Sequence, residues 1–277
     1  MQLVDLLAHP TPLPSSPRVQ ALLLTELRQL QPDLRRIDQF IKADPVLSLR
    51  VLQAANEPSL GLCGQVSSVS EALALLHLDQ VQGMVNRAIG QASFKVGTGL
   101  PLAQFWDYSQ DCARVARALA GLLQYNQQAA YVAGLIHALG ELTMRAALPQ
   151  IAELDESCPP LDLNRAFVER QDFGFCYLDV SSALASQAQL PQILCDSLAY
   201  ADAPFDNDAC EPLAAVMHLA QWRARANQLG LQKNALTVTF PSLVAEMLGL
   251  DIDMVLQQDP IDWSSQAGGR VAAVAPT

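Results

Sequence analysis

Residues 44–61 read DPVLSLRVLQAANEPSLG, and this stretch decides the fold of the first part of the chain. Asp44 followed by Pro45 predicts a helix start, because an Asp side chain caps backbone N–H groups and Pro needs no donor at the first helical position. Apolar residues then recur at the spacing of one helical face: Val46, Leu49, Val51 and Leu52. The helix is predicted to end at Asn56, before the break that Gly61 introduces.

Similar signals on both sides of this helix predict further short helices. Upstream, Ser16 before Pro17 predicts a helix that continues towards residue 30, and the apolar residues of 34–41 indicate a second one. Downstream, two pairs fit the capping box, in which a cap residue precedes an acid or amide by three positions: Ser68 with Glu71, and Asp79 with Gln82. A first lobe of about five short helices is therefore expected.

Helical periodicity also fills the second half of the chain. It covers 102–123 and then the segment from Tyr131 to Leu142, which predicts two long helices joined by a hairpin turn near 125–127. Further helices are predicted at 161–170, 179–189, 191–200, 211–228, 241–248 and 251–257.

The domain organisation follows from the composition between these helices. The polar, glycine-rich segment 95–101 (KVGTGLP) separates a first lobe at 13–95 from a second lobe at 101–205. Residues 206–260 are predicted to be a helical extension packed on the second lobe. Residues 261–277 contain mostly small side chains and few large apolar ones, so a disordered tail is expected.

Composition supports an all-α fold and excludes several functions. Apolar residues make up 51% of the chain and aromatic residues only 6%, with many Ala and Leu, which favours closely packed helices. The net charge of -11 repels nucleic acid and anionic membrane surfaces. No segment approaches 18 uncharged apolar residues and no secretion signal is recognisable, so a cytoplasmic location is expected, with the six cysteines as buried, reduced thiols.

Motifs of common enzymes are absent or weak. The Gly97-Thr98-Gly99 sequence lacks the third glycine and the preceding strand of a dinucleotide-binding loop, and no nucleophile elbow occurs. Asp107 and Asp111 lie one helical turn apart, a spacing more typical of a solvated helix face than of a catalytic pair. These observations give little support to acyl transfer or nucleotide binding.

The four histidines, His9, His77, His137 and His218, lie in four separate segments. None has a second His or Cys within two helical turns, although zinc sites usually draw several ligands from such short spacings. A single His on an apolar helix is more often a core residue than a ligand. His137 is nevertheless the candidate to examine, because of the sequence around it.

Several segments resemble motifs of HDOD domains: residues 44–61, residues 66–78 (VSSVSEALALLHL), the pair Phe105-Trp106 and residues 133–142 (AGLIHALGEL). The first is similar to D-P-x-L-x-x-R-x-L followed by A-N, and the last to A-G-L-L-H-D-I-G-K-L. His77 replaces a family glycine. The resemblance covers roughly Leu13 to Pro204 and implies an all-α, multi-helical bundle like that of HD-domain phosphohydrolases, preceded by a helical lobe.

In active HD phosphohydrolases, a His-Asp pair and further histidines bind a divalent metal that acidifies a water molecule. Here His137 matches the His of the pair, but Ala138 occupies the position of the metal-binding Asp. The upstream ligand position corresponds to Tyr108, and the downstream His corresponds to Tyr177. A methyl group cannot coordinate a metal, and a neutral phenol is a poor ligand.

The last ligand motif of the family, Y-H-H-x-P, is similar to residues 200–204 (YADAP). Tyr200 is kept, while Ala201 and Asp202 replace the two histidines, so that Asp202 is the one residue of this segment still able to reach a metal. One His and one carboxylate fall short of the three protein ligands that a catalytic site needs. The resemblance therefore implies a degenerate site without a metal or other cofactor, and a protein that is not an enzyme.

HDOD proteins are associated with bacterial signalling, which implies a regulatory module that binds a protein partner whose identity the sequence does not give. Two alternatives are open. One is a metal-dependent phosphohydrolase that acts on a nucleotide or related phosphoester through other ligands. The other is a sensor that binds a small ligand in the space that the metal has left.

Two side chains carry structural expectations. His137 is expected to be a buried, neutral imidazole, surrounded by Tyr108, Tyr177 and Tyr200, whose hydroxyl groups satisfy the ring and fill the site as a plug. Asn56 is expected to end its helix in a left-handed conformation or to brace the loop to Gly61, with contact to a ligand as the alternative.

Overall fold

A computed structural model of the chain describes residues 2–8, 12–90, 101–206 and 211–257. These residues form helices and loops and contain no strand, which confirms the all-α class. The predicted lobe boundary at 95–101 lies almost wholly outside the described residues, and the predicted tail at 261–277 lies entirely outside them.

Residues 2–8 and 12–90 contain six α-helices and a short 3-10 turn at Pro58–Leu60. The helices are α1 (Leu3–Ala8), α2 (Pro17–Leu27), α3 (Leu34–Lys42), α4 (Pro45–Ala55), α5 (Val69–Leu75) and α6 (Leu78–Gly90). The sequence analysis did not predict α1. It predicted the other five.

Cap residues account for where these helices begin. The Asp44 carboxylate accepts from the backbone N–H groups of Val46 and Leu47 at 2.9 and 3.0 Å, and Ser68 with Glu71 forms the predicted capping box. The predicted cap at Asp79 is wrong, because α6 begins one residue earlier and Asp79 lies within its first turn. An acidic side chain there still interacts favourably with the helix dipole.

Asn56 braces the loop that follows α4. Its side-chain nitrogen donates to the carbonyls of Leu52 and Val66 at 3.0 and 2.9 Å, and its Oδ1 accepts from the N–H groups of Gln65 and Val66 at 3.2 and 3.1 Å. The predicted left-handed conformation is wrong, because Asn56 has φ −95° and ψ 6°. Gly61 and Gly64 in the following loop adopt it, with φ 69° and 70°.

The second lobe and the C-terminal extension contain the remaining helices. They are α7 (Leu102–Leu122), α8 (Gln127–Ile136), α9 (Leu139–Ala147), α10 (Ile151–Ser157), α11 (Arg165–Phe173), α12 (Tyr177–Gln187), α13 (Gln192–Ala199), α14 (Pro212–Gln228), α15 (Lys233–Thr239), α16 (Ser242–Met247) and α17 (Ile252–Gln257). Helices α10 and α15 were not predicted.

The predicted hairpin between α7 and α8 is confirmed, and α14 packs along α7. The predicted single helix from Tyr131 to Leu142 is wrong, because α8 ends at Ile136 and α9 begins at Leu139. His137 and Ala138 form the junction. Apolar periodicity continues across it, since both helices are buried, and periodicity therefore does not reveal the change of direction.

Two glycines allow the helices of the second lobe to approach closely. A Cβ atom added to Gly140 in α9 would lie 2.0 Å from the Tyr177 carbonyl oxygen at the start of α12. One added to Gly134 in α8 would lie 2.6 Å from the Ala113 Cα in α7. Contacts this short leave no space for a side chain, so glycine at both positions sets the distances between these helices.

The two lobes share one apolar core, which runs from Leu6 to Val255 through the described residues. Polar contacts also join them, because Gln110 donates to the Lys42 carbonyl at 2.6 Å and Tyr131 donates to the same oxygen at 3.2 Å. The lobes therefore pack directly against each other.

The structure bears on two further expectations, one about the burial of the cysteines and one about membrane-spanning helices. Cys63 is exposed, contrary to the expectation of buried thiols, whereas Cys112, Cys158, Cys176 and Cys195 are buried and form no disulfide. Cys210 lies outside the described residues. Within the described ranges, none of the helices combines the length and the apolar character that crossing a bilayer requires.

Candidate functional site

His137 lies at the junction between α8 and α9 and is fully buried. Its Nδ1 is 2.6 Å from the Gly134 carbonyl oxygen, which only accepts, so Nδ1 carries the proton. Nε2 has no hydrogen-bond partner among the described residues. Burial lowers the pKa of His137 to about 3, and the ring is therefore neutral at ordinary pH.

Tyr108 lies in α7, and Tyr177 is the first residue of α12. The Tyr108 ring meets the imidazole edge to face, and its hydroxyl is buried without a hydrogen-bond partner in the described part of the chain. Burial raises the pKa of Tyr108 to about 12, against a smaller opposing effect of the Arg225 charge. The Tyr177 hydroxyl accepts from Arg225 at 2.9 Å.

The expectation that phenol hydroxyls satisfy the imidazole is wrong. The backbone carbonyl of Gly134 takes the ring's proton instead, and both Nε2 of His137 and the hydroxyl of Tyr108 remain without partners in the described residues. Unpartnered buried polar atoms of this kind are rare in folded proteins and call for an explanation.

The last predicted segment, residues 200–202, makes contacts with other residues. Tyr200 caps the end of α13 and is partly exposed, and the buried Ala201 uses its carbonyl to accept from His218 at 2.8 Å. Both oxygens of Asp202 accept from Arg170, one of them at 3.2 Å. The Asp202 carboxylate is therefore engaged by a guanidinium, contrary to the expectation that it is available to a metal.

A cavity of about 340 Å³ lies where the predicted ligand positions meet, and Tyr108, Ala138 and Tyr177 line it. The expectation of a filled plug is therefore wrong. The Ala138 side chain is short, and space remains next to it. Asp202 instead lines a different depression, together with His218.

Much of the remaining cavity wall is apolar: Phe105, Pro159, Pro160, Leu161 and Leu229 contribute to it. The sequence analysis connected neither the two prolines nor Leu229 with the site. Residues this far apart in sequence meet only through the packing of α7, α9 and α14, and no local pattern signals that.

Glu141 connects the cavity to a buried charged cluster. Glu141 lines the cavity, and its carboxylate pairs with Arg145 at 2.7 Å and with Arg165 at 3.5 Å. Arg165 is fully buried and also binds Glu169 at 2.6 Å and Asp155 at 2.8 Å. These two arginines balance most of the acidic charge here, so Glu141 presents a compensated carboxylate to the cavity.

The donor set at the cavity does not fit the divalent metal of an HD site. In the described ranges, no three His, Cys, Asp or Glu side chains are grouped so that they would hold an ion. Around His137, the positions expected for metal ligands carry the Ala138 methyl group and the neutral phenols of Tyr108 and Tyr177.

Comparison with known families decides the relationship of the chain. Residues 13–204 match the family described as HDOD domain, which is more than half of the sequence. The chain belongs to the HDOD family. The match begins and ends within one residue of the limits that the sequence motifs indicate. No curated protein matches the HDOD chain.

Several solved structures share the fold of this chain. The MmoQ response regulator of Methylococcus capsulatus str. Bath is 22% identical with a TM-score of 0.72, over 91% of this chain and 99% of that one. A virulence factor (cj0248) of Campylobacter jejuni is 17% identical with a TM-score of 0.67, over 95% of each chain. A putative phosphohydrolase of Shewanella amazonensis SB2B is 20% identical with a TM-score of 0.56, over 96% and 94%. At these identities the likeness concerns the fold.

Proposed function

We propose that this HDOD protein is a non-catalytic signalling module that acts by binding a protein partner. The observation that carries the proposal is the cavity beside His137, whose wall holds the Ala138 methyl group and two neutral phenols at the expected ligand positions. A catalytic metal site needs at least three protein ligands, and this wall offers only the carboxylate of Glu141, which pairs with Arg145 and Arg165. The similarity in fold to a protein described as a response regulator supports a role in signalling.

The experiment has a chemical part and a binding part. Purified protein is analysed for bound metals and assayed against nucleotide and other phosphoesters with added Mn²⁺ or Mg²⁺. We expect less than 0.1 equivalent of metal and no turnover above the buffer control. A tagged chain is then used to capture partners from its native organism, and a captured protein is tested as a purified pair. Metal near one equivalent, with turnover that disappears in His137→Ala, would instead establish a phosphohydrolase.

A second candidate function is supported by the same cavity. A regulatory module that responds to a small molecule needs an enclosed pocket, and about 340 Å³ lies within the range of small-molecule sites. In this role the ligand changes the affinity for the protein partner, so the two functions are compatible. Partner affinity measured with and without ligand tests this coupling.

A further inference from the structure

The side chains that line the cavity offer a ligand few hydrogen-bond donors. Among the described lining residues there is no Lys, Arg or His. The Tyr108 hydroxyl is buried out of reach of a ligand, and the Tyr177 hydroxyl already donates to Gln221 Oε1 at 3.4 Å. Gln104, the remaining side chain with a donor, is exposed to solvent. The buried part of this wall therefore has no free side-chain donor, which disfavours an anion there.

Glu141 is the one described lining residue with a carboxylate, and it can still accept a hydrogen bond. Arg145 and Arg165 both contact its Oε1, at 2.7 and 3.5 Å. A carboxylate has about four acceptor sites on its two oxygens, so these contacts leave acceptor capacity at Oε2. The Glu141 side chain is 6% exposed, and the residue lines the cavity. A donor on a ligand is therefore the group that this wall can bind.

The charges around Glu141 are close to balanced. The cluster contains two arginines and three acids: Arg145, Arg165, Glu141, Asp155 and Glu169. Burial and the neighbouring charge of Glu141 raise the pKa of Glu169 to about 7, so this acid is partly protonated near neutral pH. Two positive charges then face between two and three negative ones. A cationic ligand gains little from such a cluster, and a neutral donor suits it better.

The rest of the wall favours an aromatic body. The rings of Phe105, Tyr108 and Tyr177 line the cavity, together with apolar residues such as Pro160 and Leu161. Aromatic rings pack favourably against one another, edge to face or offset. The volume of about 340 Å³ lies near the lower end of the range of small-molecule sites, which suits a ligand of one or two rings.

We infer that the cavity binds a small, neutral aromatic molecule that donates one N–H or O–H hydrogen bond to the carboxylate of Glu141. The inference rests on the proposed function, in the form in which a small molecule regulates partner binding, and it names the class of that molecule. The aromatic ring packs against Phe105, Pro160 and Leu161. The donor occupies an acceptor site on Glu141 that the arginines leave open.

Calorimetric titration of the full chain tests the need for a donor with pairs of matched probes. Indole is compared with benzofuran, which has the same shape without the N–H group, and p-cresol with 4-methylanisole, in which a methyl ether replaces the hydroxyl. Indole-3-acetate and tryptamine carry the indole ring with a negative and a positive charge. We expect saturable, one-to-one binding of indole or p-cresol. Its donor-free partner should bind at least about 10-fold more weakly, the loss expected for a hydrogen bond to a charged group, and the charged probes more weakly than indole.

Variants assign the binding to this cavity. Glu141→Gln keeps the size of the side chain but removes its charge, so it should weaken binding of the donor probes about 3- to 10-fold and leave the donor-free probes unchanged. Glu153→Gln, at an exposed position on α10, is its control. Leu161→Trp should abolish binding, because the larger ring fills the cavity from a partly exposed position. Leu163→Trp is the matched control, since Leu163 is exposed and does not line the cavity.

Circular dichroism checks the fold of each variant, and the probe pairs with Leu161→Trp decide the result if Glu141→Gln does not fold. Equal affinities within both probe pairs, tighter binding of a charged probe than of the neutral donors, equal effects of Leu161→Trp and Leu163→Trp, or no saturable binding of any probe would each overturn the inference. Phosphoester turnover with Mn²⁺ is measured on the same samples. Turnover that disappears in His137→Ala would overturn the proposed function, whatever the binding result, so the two failures are distinguishable.

Discussion

The imidazole of His137 and the phenol ring of Tyr108 meet edge to face, with their centroids 5.0 Å apart and their planes inclined by 71°. This geometry places the positive edge of one ring on the negative face of the other. It holds the imidazole in place without a metal, together with the 2.6 Å hydrogen bond from Nδ1 to the Gly134 carbonyl. His137 therefore has a packing role that is independent of catalysis.

Replacing His137 by Ala should destabilise the fold. The change removes the hydrogen bond to Gly134 and the contact with Tyr108 and enlarges the neighbouring space. We expect the free energy of unfolding to fall by about 2 to 4 kcal/mol, measured by urea denaturation. His77→Ala, at an exposed position, is the control and should change it by less than about 0.5 kcal/mol. Equal effects of the two substitutions would contradict the packing role.

The same residue should make stability depend on pH. The pKa of His137 is 6.5 in the unfolded chain and about 3 in the fold, so between these values the unfolded state binds more protons and stability rises with pH. The contribution is lost as pH falls below 6.5, at about 1.4 kcal/mol per unit. The difference in unfolding free energy between wild type and His137→Ala should therefore shrink by about 2 kcal/mol from pH 7.5 to pH 5. A constant difference would show that the buried ring is not neutral.

Metal should have no part in folding. Because the described residues bring no three metal ligands together at the cavity, EDTA should leave the melting temperature within about 1 °C of the untreated value. Ala138→Asp restores only one half of the His-Asp pair and should not bind Mn²⁺ in calorimetry, since phenols remain at the other positions. The added carboxylate should lower stability, because it is buried without a cation. Tight Mn²⁺ binding by this variant would place the ligands elsewhere.

Asn56→Ala should be among the costly polar substitutions. Asn56 is fully buried, and its loss leaves the N–H and the carbonyl of Val66 without their side-chain partner. We expect a loss of about 2 to 4 kcal/mol in unfolding free energy, measured by urea denaturation. Asn164→Ala is the matched control, since that side chain is exposed and makes no cap hydrogen bond. Unchanged stability combined with lost partner or ligand binding would favour the alternative that Asn56 contacts a ligand.

Gly140→Ala should disrupt the second lobe, because the added Cβ would lie 2.0 Å from the carbonyl oxygen of Tyr177. We expect a loss of more than about 3 kcal/mol, or insoluble protein. Gly83→Ala in α6 is the control, since its Cβ would meet only the Arg87 side chain, at 3.6 Å. There the better helix propensity of Ala should raise stability by up to about 1 kcal/mol. Thermal melts of both variants measure the contrast, and similar melting temperatures would contradict it.

Local signals in the sequence predicted much of the fold. Asp44 before Pro45, and Ser68 with Glu71, predicted helix starts that the structure confirms, because a cap acts on N–H groups within its own first turn. The family motifs predicted the HDOD fold, which is confirmed as well. These features depend on residues that are neighbours in the chain.

Features that depend on distant residues were not predictable. The pairing of Asp202 with Arg170 joins positions 32 residues apart, and Arg225 meets Tyr177 across 48 residues. The cavity exists because the short Ala138 side chain leaves space between the helices. Such distances follow from packing, and single-sequence patterns do not contain them.

The close approach at Gly140 has a consequence for how this family is recognised. The segment AGLIHALGEL retains Gly134 and Gly140, which set the spacing of α7, α8, α9 and α12, while Ala138 lacks the carboxylate of a metal ligand. The similarity of this segment to the family pattern therefore reflects the packing of the helices more than the chemistry of the site. The glycines contribute to a match with the motif whether or not the ligand residues are present. Proteins that match the motif equally well can therefore hold very different occupants in the cavity.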